Sequence, residues 1–326
     1  MLLIVTNRQD QTADFLILEL KSRKADYVRF NTEDFPKTVF LNWKIINGMI
    51  DGHLVFPKRR IHLNEISSIW YRRPVSPVPD TKIIDPEVQD FVKEESRVAL
   101  EGLWRTLTCF WVSNPDNIRV AENKLYQLAI AAQEGFFVWP TTVTSDAAAA
   151  KAFYNEYKGD VVYKPLRKGR LIIEGELNLI FTNLIGADIA NDFDNIKYAP
   201  SLLQKYIHKG VELRVTVIGE KVFAVAIESQ NTPEGDAIHD WRRAQTNLPH
   251  RHFDLPADVE SKCKNLVKKL GLKFGAIDLI VTPENKYVFV EINPNGQWAW
   301  IQQLCPKIPM RETLADLLLH GDSLNG

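Results

Sequence analysis

The chain has 326 residues, 45% hydrophobic and 25% charged, with 17 prolines and 16 glycines spread along it, which argues against a disordered or fibrous protein. Lys and Arg number 40 and Asp and Glu 41, leaving a formal charge of -1, so a dedicated nucleic-acid or anionic-membrane binder is not expected. Cys109, Cys263 and Cys305 are too far apart for a disulfide framework and have no zinc-ligand spacing; with no long apolar segment, they suggest a cytoplasmic chain with reduced thiols.

At this length two or three packed subdomains are expected. Residues 2–6 read as a short buried strand, 12–24 as a helix carrying Phe15, Leu16, Leu18 and Leu20, and 27–30 as a second strand. Segments 39–46 and 49–56 flank Asn47-Gly48, a pair suited to a turn with two positive φ angles, and predict a hairpin. After a strand at 68–71, Asp85-Pro86 begins a long amphipathic helix, since Asp can cap it and Pro is harmless at its first position. Asn114-Pro115 then leads to one helix over 121–133 and another over 146–157. Strands dominate from there, at 161–165, 171–173, 201–207, 212–218, 221–229, 274–281 and 287–293, with helices at 257–270 and 310–320. The pattern predicts α/β and α+β architecture in three parts: an N-terminal α/β lobe (1–115), a central lobe (116–200) and an antiparallel C-terminal lobe (201–326).

The most specific chemistry lies between Phe274 and Gly296. Two apolar strands flank a turn at 283–286, and pairing Thr282 with Tyr287 would set Asp278 opposite Glu291. Asn293 shares the face of Glu291, so three oxygen-bearing side chains converge inside an Ile/Leu/Val/Phe pattern. Facing carboxylates repel unless a cation neutralises them, and all-oxygen donors suit Mg²⁺ or Mn²⁺, with so few protein ligands favouring Mg²⁺ shared with substrate phosphates. The competing reading is a solvent-facing hairpin with ordinary surface acids.

With these residues the chain resembles the ATP-grasp superfamily, whose last lobe carries an acidic residue on one strand and a Glu-x-Asn pair on the next. Other segments match in order: Glu122-Asn123-Lys124-Leu125, Tyr163-Lys164-Pro165, the run 201–207, and Gly210-Val211-Glu212-Leu213-Arg214-Val215. The resemblance implies a three-lobed ATP-grasp fold in which the central and C-terminal lobes sandwich ATP. Lys124 and Lys164 would contact the phosphates, Gln204, Lys205, Tyr206 and Ile207 the adenine edge, and Glu212 the ribose. Asp278, Glu291 and Asn293 would hold Mg²⁺, and Arg214 would face the reacting phosphate.

Within that superfamily the chain looks like the ligases that macrocyclise precursor peptides of the microviridin (graspetide) type. The motifs are Arg29-Phe30-Asn31-Thr32-Glu33, Trp70-Tyr71-Arg72-Arg73-Pro74, Asp240-Trp241-Arg242 and Glu291-Ile292-Asn293-Pro294-Asn295-Gly296-Gln297-Trp298. This implies an acyl-phosphate route to an ω-ester, or an ω-amide, with Arg242 or Arg243 assisting Arg214 and with Asp240 or His239 as candidate base. It also implies a leader peptide bound on the middle lobe, where Asp188, Asp192 and Asn195 lie among Ile189, Phe193 and Ile196. The expected phosphate-covering loop departs from the family pattern, since 166–175 has only Gly169 and Gly175 and carries Arg167, Lys168 and Arg170 instead. A homodimer is compatible with the sequence.

Singly, these residues have plainer readings. Lys124 is a solvated lysine at a helix start, Gln204 an outward strand position, Glu212 with Arg214 a simple ion pair, Arg72 and Arg73 a solvated strand end, and His208, His239, His250 and His252 surface residues. Two further functions share the motifs: a ligase adding free amino acids such as glutamate to a peptide C-terminus, and a nucleotide-binding regulatory module without turnover.

Overall fold

The computed structural model describes residues 1–167, 169–231 and 248–321. Strand β1 (Leu2–Thr6) is buried at every position, as a strand covered on both faces must be. Helix α1 (Gln11–Ser22) starts at Asp10, whose carboxylate accepts from the amides of Thr12 and Ala13. Strand β2 (Tyr27–Asn31) follows, then an antiparallel sheet of β3 (Phe40–Ile46), β4 (Met49–Phe56) and β5 (Arg59–His62). Asn47 and Gly48 take the expected positive φ values, 50° and 78°. Strand β6 (Ser68–Tyr71), helix α2 (Pro86–Thr106), capped by Asp85, and strand β7 (Phe110–Val112) complete the lobe. Its parallel sheet runs β2-β1-β6-β7.

The helix expected over 121–133 is α4 (Lys124–Gln133), and a further helix, α3 (Pro115–Ala121), precedes it across a break. The break is chemical: the side chain of Asn123 accepts the amide of Tyr126 and starts a new helix, with Lys124 at its first position. Then come β8 (Phe137–Val138), β9 (Thr141–Thr144), α5 (Ala147–Glu156), β10 (Val161–Lys164), β11 (Arg170–Ile173), β12 (Glu176–Leu179), β13 (Asn183–Leu184), α6 (Ala187–Asn191) and β14 (Ser201–Lys205). The middle sheet is antiparallel, ordered β13-β10-β14-β9. The boundary expected between residues 200 and 201 therefore falls inside one sheet, because β14 lies between β9 and β10.

The last part contains β15 (Val211–Ile218), β16 (Lys221–Ile227), β17 (His250–His252), α7 (Ala257–Lys269), β18 (Phe274–Val281), β19 (Tyr287–Asn293), α8 (Ala299–Leu304) and α9 (Met310–His320). Its six-stranded sheet, β17-β16-β15-β18-β19-β8, is antiparallel except where β19 meets β8. Ile118, Ala121, Ile130 and Ala131 of α3 and α4 share a core with Leu213, Ile277 and Phe289, so residues 115–138 belong by packing to this sheet. Leu314, Leu317 and Leu318 of α9 share another core with Leu16 and Leu20 of α1. Each such buried side chain contributes about 1.5–3 kcal/mol, which fastens the first lobe to the last. His250, expected at the surface, is half-buried against Trp300 with ring centroids 5.1 Å apart, and burial pushes its pKa down. Among the described residues no helix is long and apolar enough to cross a membrane.

Candidate functional site

Side-chain alternation and strand register build one row across three strands: Arg214 of β15 stands opposite Asp278 of β18, and Asp278 opposite Glu291 of β19. The expected pairing of Thr282 with Tyr287 does not occur. Val281 pairs with Tyr287, and a bulge leaves Val290 unmatched, restoring the Asp278–Glu291 pairing by one extra residue.

The chain supplies its own cations for the facing carboxylates. Arg214, 6% exposed, donates from Nη1 to Asp278 Oδ1 at 2.7 Å, and Lys124 Nζ lies 3.0 Å from Glu291 Oε2. Asn293 Nδ2 reaches Glu291 Oε1 at 3.4 Å. Lys124 is thus part of the site and not a solvated lysine. What aims it is Gln127, a residue that sequence reasoning missed. Buried one turn on, it donates from Nε2 to the Ile292 carbonyl at 2.9 Å and accepts the Ile292 amide at 3.2 Å, clamping α4 to β19. The signal was present as two polar residues three apart on one helix face.

A recess of about 280 Å³ opens between the middle and C-terminal sheets. It is lined by Lys124, Lys164, Gln204, Lys205, Tyr206, Ile207, Glu212, Asp278, Glu291 and Asn293, so among the described residues every one expected to meet ATP or metal, Arg214 apart, borders one space. Lys164 donates to Gln204 Oε1 at 2.7 Å, and Gln204, 2% exposed, passes a hydrogen bond to Thr141 Oγ1 at 2.8 Å. Gln204 is therefore an inward position. Glu212 pairs with Lys209 at 2.9 Å and accepts from Ser229 Oγ at 2.7 Å, which excludes the simple Glu212–Arg214 pair. Lys205 Nζ lies over the rings of Trp139 and Tyr157 at 5.6 and 5.3 Å. Arg214 is not among the lining residues; it backs Asp278 and reaches the Gln297 carbonyl at 3.4 Å.

The glycine-poor loop is a two-stranded ribbon, β11 with β12, turning at Glu174-Gly175, both with positive φ. Leu166, Arg167 and Gly169 border the recess, and a Cβ on Gly169 would meet the Ile180 carbonyl at 2.1 Å, so close backbone approach explains that glycine. His239, Asp240, Arg242 and Arg243, with the Asp240-Trp241-Arg242 motif, lie outside the described residues.

Arg72 is not a solvated strand end. It is 1% exposed and donates to the Asn295 carbonyl and, at 2.9 Å, to Gln297 Oε1, while burial lowers its pKa to about 10. Gly296 is forced by proximity: a Cβ there would lie 2.4 Å from Ala276 Cβ and 2.8 Å from Arg214 Nη2.

On the opposite face of the middle sheet is a second, more apolar groove of about 600 Å³. Val162, Lys164, Leu202 and Gln204 face the recess, whereas the alternate residues Tyr163, Ser201 and Leu203 face the groove. Asp188, Asp192 and Asn195 line it with Ile189, Phe193 and Ile196, as the sequence suggested, and Asn195 Nδ2 donates to Asp192 Oδ2 at 2.8 Å.

Among the described residues no cluster of three His, Cys, Asp or Glu side chains is poised to hold a metal. Asp278 and Glu291 with the Asn293 amide form a smaller, oxygen-only set, which fits a hard cation that keeps most of its coordination for other oxygens.

Residues 1–119 match the family model of the MvdD pre-ATP grasp domain. The chain is similar to the Chryseobacterium gregarium RiPP-associated ATP-grasp ligase solved with ADP and a leader and core peptide, at 30% identity and TM-score 0.89, covering 98% of this chain and 96% of that one. It is also similar to macrocyclase MdnC of Microcystis aeruginosa MRC bound with precursor peptide MdnA, at 29% identity and TM-score 0.86 over 98% and 99% of the two chains. Macrocyclase MdnB of the same organism matches at 28% identity and TM-score 0.80 over 98% and 99%. No curated protein matches the chain.

Proposed function

Because the chain belongs to the RiPP-associated ATP-grasp ligases of the microviridin macrocyclase type, we propose that it closes ω-ester or ω-amide cross-links between Asp/Glu and Thr/Ser or Lys side chains of a ribosomally made precursor, consuming ATP. The observation that carries the reading is the pairing of spaces on one sheet: a charged recess on one face and a mainly apolar groove with an acidic margin on the other. The first suits a nucleotide, the second a peptide segment carrying an arginine.

In this reading a precursor carboxylate oxygen attacks the γ-phosphorus and ADP leaves. A hydroxyl or amine then attacks the acyl carbon, phosphate leaves, and the nucleophile's proton passes to a base. The protein contributes position and charge rather than covalent chemistry. Five basic side chains face four carboxylates around the recess (Lys124, Lys164, Arg167, Lys205 and Lys209 against Glu122, Glu212, Asp278 and Glu291), so a polyphosphate enters only with an added cation. Asp278, Glu291 and Asn293 would hold Mg²⁺, or Mn²⁺, which supplies charge neutralisation for the phosphates when bound. Lys124 and Lys164 would exchange their present partners for phosphate oxygens, and Glu212 would accept the ribose hydroxyls. Arg214 orients Asp278, and by motif order Arg242 or Arg243 would face the reacting phosphoryl group. Asp188, Asp192 and Asn195 would receive the leader.

The test is ADP release with a leader-bearing precursor, with free glutamate plus a leaderless peptide, and with neither. Release confined to the precursor, with a product lighter by one water per ring, is expected. Release with glutamate and the leaderless peptide points to the amino-acid ligase, and no release in any arm points to the regulatory module.

A further inference from the structure

The carboxyl end of β6 sends a guanidinium into the seam between the first and last lobes. Arg72 donates to the Asn295 carbonyl and to Gln297 Oε1, and its Nε lies 3.6 Å from Asp10 Oδ2. Asp10 does not need this arginine for its hydrogen bonds: it already accepts from Thr6 Oγ1 at 2.7 Å and from the amides of Thr12 and Ala13. A buried guanidinium is costly unless its donors are used, and here each Nη donates to the turn that follows the last site residue, while Nε has no hydrogen-bond partner among the described residues and has the Asp10 charge nearby. Gln297 Oε1 also accepts from Thr12 Oγ1, tying the turn to α1. From Gln297 the contacts continue inward, since its carbonyl meets Arg214 Nη2 at 3.4 Å and Arg214 Nη1 holds Asp278 at 2.7 Å.

We propose that Arg72 is a positioning residue for phosphoryl transfer: from the N-terminal lobe it fixes the 295–297 turn, and through that turn the orientation of Arg214 and Asp278. This rests on the reading of the recess as an ATP site. Lysine at 72 keeps the charge beside Asp10 but cannot span two acceptors with a planar fork.

Three readings test it with Arg72→Lys in the full chain. Hydrogen exchange at the amides of residues 295–298 rises, with α1 and β18 unchanged. For precursor-dependent ADP release kcat falls on the order of 10- to 100-fold, as expected for a misplaced reacting group, while ATP affinity falls much less, because Lys124, Lys164 and Glu212 still hold the nucleotide. Arg72→Lys and Arg214→Lys combine non-additively because they act on one arrangement. Unchanged exchange, a parallel loss of kcat and ATP affinity, or additive effects would each overturn the proposal. If Arg72→Lys does not fold, Gln297→Ala, which removes one acceptor and leaves Asp10 its charge partner, carries the same readings. A wild-type protein without precursor-dependent ADP release overturns the ligase reading and the catalytic half of this proposal together, whereas normal activity with unchanged exchange overturns the grip alone.

Discussion

Asp278 and Glu291 face each other, yet their partners differ in depth, and the two carboxylates should respond differently to loss of charge. The Lys124–Glu291 pair is partly solvated, with side chains 21% and 18% exposed, whereas the Arg214 side chain facing Asp278 is 7% exposed. Glu291→Gln should abolish ADP release while costing at most about 1 kcal/mol of stability, the range of a partly exposed ion pair. Asp278→Asn should also abolish turnover but cost about 1–3 kcal/mol, because a buried guanidinium loses its charged acceptor. Thermal melts in EDTA, beside the ADP assay, separate the effects. Equal and large destabilisation by both would make the carboxylates structural and remove the metal reading.

At the scale of elements, the hairpin β18–β19 and the turn after it act as one unit, and Gly296 is where the packing leaves no slack. Gly296→Ala should cost about 1–3 kcal/mol by overpacking and lower Tm by a few degrees, and Ala276→Gly in the same chain should restore much of the loss. A single variant that melts like wild type would contradict the close approach of these elements. This unit also marks how far the sequence could be read. The apolar alternation exposed Asp278, Glu291 and Asn293 as a facing set, since polar groups inside such a pattern demand a reason. The bulge at Val290 was hidden because one apolar residue among several carries no register signal. The break before Lys124 rested on Asn123 acting as a cap, chemistry visible only once the turn is built. Arg72 looked like a strand end because its partners, Asn295 and Gln297, are more than two hundred residues away in the chain. The repulsion argument for a divalent cation was incomplete for the same reason, since Lys124 and Arg214 reach the carboxylates through tertiary packing.

For the whole molecule, the decisive feature is that one thin sheet separates two spaces with different demands. The strands β10 and β14 present Lys164 and Gln204 to the recess and Tyr163 and Leu203 to the groove, while Ile180 borders both. In the proposed reading, recognition of a leader and binding of a nucleotide would be spatially divided but mechanically adjacent, which would let a peptide with varied reacting side chains be held at a constant segment elsewhere. The groove's polar margin is Asp188, Asp192 and Asn195, with Asn195 donating to the Asp192 carboxylate, so an arginine of a leader docked as proposed would find a preset acceptor there. Replacing Asp192 and Asn195 together by Ala should weaken leader binding by about 10- to 100-fold in calorimetry, the loss expected for a charge-assisted hydrogen bond worth roughly 1.5–3 kcal/mol. ATP affinity should not change, because none of the lost contacts reaches the other face of the sheet. Unchanged leader affinity would move the docking surface elsewhere and leave the recess assignment intact, whereas a parallel loss of ATP affinity would mean that the sheet does not insulate its two faces.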